Sequence, residues 1–91
     1  MSKIEVDEIV NQTGDNDSGI DLSTNDNIKF DIAGSQKAII DSSGNVGIGT
    51  TSPSHELHIT GSSDTRAIIT SGGSGDAVMM FENASGNTWG H

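Results

Sequence analysis

Four stretches of this chain carry residue types that do chemistry elsewhere, and each lacks a part its chemistry requires. Gly44-x-x-Gly47-x-Gly49 has the glycine spacing of a phosphate-cradling loop. A P-loop also needs a lysine after its last glycine, and none is near. A dinucleotide loop needs a third glycine at position 52 and a helix beyond it, where Ser52 and Pro53 stand. Asp15-Asn16-Asp17-Ser18-Gly19-Ile20-Asp21 puts oxygen ligands at alternate positions, yet the glycine and glutamate that a helix-flanked calcium loop requires are replaced by Ile20 and Asp26. Gly72-Gly73-Ser74-Gly75-Asp76 is one residue short of a calcium-binding β-roll repeat and does not recur. His55 and His58, three apart on a strand, point to opposite faces and cannot easily chelate one metal, although copies of one of them around a symmetry axis can. Serine, histidine and aspartate are plentiful, but no nucleophile elbow orders them, and scattered turn aspartates do not make a carboxylate pair. Asn11-Gln12-Thr13 and Asn83-Ala84-Ser85 match the glycosylation pattern without a secretory signal to give it meaning. The expectation is a protein that is not an enzyme, with no catalytic, cofactor or metal residues.

The elements that would position such residues are short. The 91-residue chain is 31% hydrophobic and 3% aromatic, too lean for a large core. Chains this small usually add disulfides, a metal or further subunits. Cysteine is absent, so subunit association is the expected remedy. The net charge is −9, and nine of thirteen acids lie between Glu5 and Asp41. That balance repels nucleic acid and anionic membranes. No apolar run approaches membrane-spanning length, and Lys3, Glu5, Asp7 and Glu8 break up any signal-peptide core.

Turn formers punctuate the chain every ten or so residues, which reads as all-β. Residues 1–10 favour a strand, with a helical turn as the alternative. Ile20 and Leu22 flank Asp21 in a brief strand. Ile28-Lys29-Phe30-Asp31-Ile32 alternates most clearly, followed by a turn at Gly34 and a strand at 38–40. Further strands are expected at 46–50, 57–59, 67–70 and 77–81, with Ser-Gly-Asn at 43–45 and again at 85–87 before Thr88-Trp89.

Gly44-Asn45-Val46-Gly47-Ile48-Gly49-Thr50-Thr51-Ser52-Pro53 is the centre of this arrangement. Val46, Ile48 and Thr50 share one strand face, and the bare Gly47 and Gly49 share the other. Glycine inside a strand marks a close backbone approach, and Pro53 must end the pairing. Both alternating and continuously apolar strands occur, so some are expected to be covered on both faces, by neighbouring chains.

This stretch, with the following Leu57-His58-Ile59, resembles a segment common in tail-fibre and tail-spike proteins of tailed bacteriophages, many of which end in a self-cleaving chaperone domain of the endosialidase type. Residues 3–11 and Asn25-Asp26-Asn27-Ile28-Lys29-Phe30 look like the front of such fibres, especially from phages of marine or cyanobacterial hosts. The resemblance touches most of residues 1–60 and, more loosely, 77–81. It implies a parallel homotrimer, an intertwined β-prism or triple β-helix-like shaft. It also implies that the N-terminal end attaches to a baseplate or tail protein while a more distal part meets the bacterial receptor. Such a protein is made in the host cytoplasm and ends in the virion.

The resulting reading divides the chain into a virion-proximal segment (1–27), a trimeric β shaft (28–60) and a further hairpin region (61–91). The abrupt end at Trp89-Gly90-His91 suggests the front of a longer protein. The expected trimer core is Ile28, Phe30, Ile32, Val46, Gly47, Ile48, Gly49, Leu57 and Ile59. The alternative is a surface adhesion module whose Asp/Asn/Ser-rich loops and Trp89 bind glycan, directly or through calcium. A third reading is the anchoring end of a polysaccharide-cleaving spike whose catalysis lies beyond residue 91.

Overall fold

The computed structural model describes residues 2–84 and 88–89, the last two by their backbone only. It is all-β, and no described residue is helical. Six strands form one sheet in chain order: β1 (Glu8–Val10), β2 (Gly19–Asp21), β3 (Ile28–Ile32), β4 (Ser35–Ile40), β5 (Val46–Ile48) and β6 (Leu57–Ile59). β7 (Phe81–Glu82) and β8 (Thr88–Trp89) make a separate antiparallel pair. The repeated turn expected at 85–87 lies outside the described residues.

β1 to β5 form an antiparallel meander, as hairpin-length connections permit. Its centre is the β3–β4 hairpin, turned by Ala33 and Gly34 at φ 54° and 78°. Two consecutive positive φ values are those of a type I′ turn, whose twist matches the flanking strands. The register slips between Phe30 and Asp31, where Ala38 and then Gln36 are the partners, so Lys37 is the extra residue of a bulge. The next turn is held by Asp41, whose Oδ1 accepts from the backbone N–H groups of Ser43 and Asn45 at 3.0 Å each.

β6 joins β5 in parallel. The connection at residues 49–56 must therefore return along the sheet, and it crosses one face. A Cβ on Gly47 would sit 3.0 Å from Thr50 Cγ2, 3.1 Å from the Thr50 carbonyl and 3.2 Å from Ile39 Cγ2. The backbone approach that this glycine signalled is therefore made by its own chain. Gly49 ends β5 at φ 82°, and a Cβ there would collide with the Thr60 carbonyl. The strand consequently stops at Ile48, short of the expected Thr50.

Beneath this loop lies Ile39, 3% exposed, the one buried hydrophobic side chain among the described residues. Gly47 is buried against it, and Pro53 of the loop is buried as well. Residues 67–70, expected as a strand, form no ladder, and of 77–81 only Phe81 pairs. Their apolar sequence is suited to strands but finds no partner within the described chain.

Candidate functional site

Directly opposed residues in a ladder share a face of the sheet, so the registers divide the side chains into two sets. One row, Ile9–Ile20–Phe30–Ala38–Ile48–Ile59, crosses all six strands. A second row, Ile28–Ile40–Val46–Leu57, runs beside it, and Ile32 extends the face past the bulge. No charged residue stands in either row. The face is also uncovered: Phe30 is 37% exposed, Ile48 45% and Leu57 60%.

Seven of the residues expected in a trimer core, Ile28, Phe30, Ile32, Val46, Ile48, Leu57 and Ile59, lie together on this face. Gly47 does not. It stands on the opposite face, under Thr50 and against Ile39. Gly49 stands beyond the end of β5, against Thr60. Ile9, Ile20, Ala38 and Ile40 complete the apolar rows and are not among the residues expected in the core. Alternation in each strand exposes them, but only the register shows that all the alternating sets face the same way.

The opposite face is polar. Its row reads Glu8–Asp21–Lys29–Ile39–Gly47–His58, with Val10–Gly19–Asp31–Gln36 alongside. Glu8, Asp21 and Asp31 each bring one carboxylate oxygen within 4.8 Å of the others. Glu8 and Asp31 also border an open depression of about 160 Å³. Three carboxylates supply part of the six to eight oxygens a calcium ion takes. One oxygen of Asp21 is committed elsewhere, Oδ1 accepting from Ser23 N–H at 2.9 Å and Ser23 Oγ–H at 2.6 Å. Those bonds, with Lys29 a smaller contributor, hold its pKa below the ordinary carboxylate value.

The remaining chemical candidates resolve into turns. The Asp15 and Asp17 carboxyls share a hydrogen bond, which lowers the pKa of Asp15 and raises that of Asp17. The loop carrying them packs on the β3–β4 turn through Ser18 Oγ, which accepts from Ala33 N–H, and the Asp17 carbonyl, which accepts from Gly34 N–H. His55 and His58 both meet Ser54. His58 Nδ1 accepts from its backbone N–H at 3.2 Å, and His55 Nδ1 lies 3.1 Å from its hydroxyl. The Trp89 side chain lies outside the described residues.

Compared with protein-family models, curated proteins and solved structures, the chain matches none.

Proposed function

We propose that this chain is a structural segment of a bacteriophage tail fibre, assembling as a homotrimer that links the virion to a distal receptor-binding part. The observation that carries the reading is the apolar face that crosses all six strands without a cover. Surface area supports it. A compact monomer of 9.4 kDa exposes about 5,000 Å², whereas this chain exposes 7440 Å². The radius of gyration is 17.3 Å, against about 12 Å for a compact domain of this length. A standard interface buries about 800 Å² on each partner, so the surplus suffices for the two neighbours each chain has in a trimer.

The choice of a phage fibre rests on the resemblance of residues 44–53 and 57–59 to fibre proteins. A prism or triple β-helix-like shaft, with the apolar faces turned inward and the acidic faces outward, is the form this reading gives it. Attachment to a baseplate or tail protein, and to the receptor only through a more distal part, follows from the same resemblance.

Sedimentation with mass determination tests the assembly. The wild type is expected at three times 9.4 kDa. Ile48→Asp, which puts an unpaired charge within the longer apolar row, is expected to abolish the trimer. An unchanged profile for that variant removes the face from the interface, and a wild type that remains a compact monomer at micromolar concentration removes the proposal.

A further inference from the structure

β6 is the strand joined in parallel, and its outer edge pairs with no described strand. Toward β5, the Val46 N–H donates to the Glu56 carbonyl and the Thr60 N–H to the Ile48 carbonyl. By the parallel pattern, the amides and carbonyls of Leu57 and Ile59 then point to the open edge. Edge strands are usually guarded by charge, proline or a bulge. The β1 edge has Asp7 and Glu8 on or beside it, whereas Leu57-His58-Ile59 itself carries no acid, lysine or proline and is flanked by the single acid Glu56.

A few residues later the chain holds a strand without a sheet. Residues 66–70 (Arg-Ala-Ile-Ile-Thr) run without bend or turn and form no ladder with any described residue. Ile68 is 78% exposed and Ile69 51%.

We infer that residues 66–70 of one copy add as a parallel strand to the β6 edge of a second copy. The inference rests on the homo-oligomeric reading above and names the contact that propagates it. The two segments correspond at an offset of ten: Glu56 with Arg66, Leu57 with Ala67, His58 with Ile68, Ile59 with Ile69 and Thr60 with Thr70. Parallel, in-register pairing therefore sets opposite charges beside each other at one end and two threonines at the other, both favourable cross-strand pairs. It also extends the apolar rows by one strand, to Ile48–Ile59–Ile69 and Val46–Leu57–Ala67. Antiparallel pairing places Arg66 beside Thr60 and loses the charge match. The ion pair Arg66 makes with Asp64, at 3.5 Å and largely exposed, is too weak to withhold it.

A second copy fits better than the chain's own return. Residues 61–65 span at most about 17 Å. The chain makes one parallel return of its own, from β5 to β6 through the eight residues 49–56; residues 61–65 are three fewer, and residues 66–70 form no ladder with β6 of the same copy.

The chain has no cysteine, so single thiols report the contact cleanly. Parallel neighbours lie about 4.8 Å apart, inside the Cα range of a disulfide. Thr60→Cys and Thr70→Cys chains, refolded together and oxidised, are expected to give a disulfide-linked dimer containing one of each, and neither variant alone is. Trimers that form without this cross-link overturn the strand addition and leave the oligomer standing; a mixture that stays monomeric overturns both. A Thr60→Cys/Thr70→Cys double variant that closes only within one chain also overturns the inference. Independently of the thiols, Arg66→Glu is expected to weaken assembly on the order of threefold per interface, and adding Glu56→Arg to restore it. A loss that the swap does not rescue overturns the register.

Discussion

At the scale of single residues, backbone conformation makes the sharpest demands. Ala33 holds φ 54° in the β3–β4 turn, a region that costs an L-residue with a Cβ on the order of 1 kcal/mol and that asparagine tolerates better. Ala33→Asn leaves the Ser18 Oγ bond to the backbone N–H of residue 33 in place, and is expected to raise stability by about 0.5–1 kcal/mol in urea denaturation. Gly44 and Gly49 form a matched pair with φ of 83° and 82°. Nothing lies within 4 Å of a Cβ on Gly44, whereas one on Gly49 meets the Thr60 carbonyl. Gly44→Ala thus pays only the conformational cost, about 1 kcal/mol, while Gly49→Ala adds a backbone collision and is expected to lose more than about 2 kcal/mol. Equal losses in the two variants would show that β6 does not pack against Gly49.

At the scale of elements, the sheet is held by a polar-side layer one side chain deep. Ile39 packs against Gly47, which Thr50 of the returning loop also approaches, and apart from Pro53 no other described apolar side chain is buried. Ile39→Ala is therefore expected to destabilise the sheet by about 2–4 kcal/mol, read as a shift in the urea midpoint with the slope unchanged. A loss below about 1 kcal/mol would mean that the loop collapses onto the smaller side chain. The elements differ in how far sequence revealed them. β3 was legible to the residue because Ile28, Phe30 and Ile32 alternate with two charges, and the turns around Gly34 and at 41–45 because their residues suit turn conformations, although the first, expected over 33–36, ends at Gly34 and β4 begins at Ser35. The parallel entry of β6 was not, since Leu57-His58-Ile59 reads the same in either direction. Gly47 announced a close approach but not whose backbone would make it. The carboxylates of Glu8, Asp21 and Asp31 come from three strands, and no spacing along the chain places them together. Residues 67–70 have the composition of a strand, but composition does not supply a partner.

At the scale of the whole molecule, shape and charge act against each other. The chain extends 44 × 31 × 30 Å and carries a net charge of −9, so three copies carry −27. A trimer with its apolar faces turned inward, as proposed above, would leave the acidic faces on the outside. At 10 mM salt the Debye length is about 30 Å, comparable to the width of the chain, so acids on different strands and different copies repel one another; at 150 mM it is about 8 Å, and only near neighbours do. Self-repulsion of this kind destabilises a compact state. The melting temperature of the assembly is thus expected to rise by several degrees between 10 and 150 mM sodium chloride. The rise is expected to shrink in a Glu8→Gln/Asp31→Asn variant, which keeps the shapes and removes two charges per copy from the closest cluster. Specific cation binding at those carboxylates would behave differently: calcium would raise the melting point at constant ionic strength and sodium would not. Melting curves that coincide at the two salt concentrations would mean that the acids are already spaced or neutralised in the assembly, and would contradict an acidic exterior wrapped around an apolar interior.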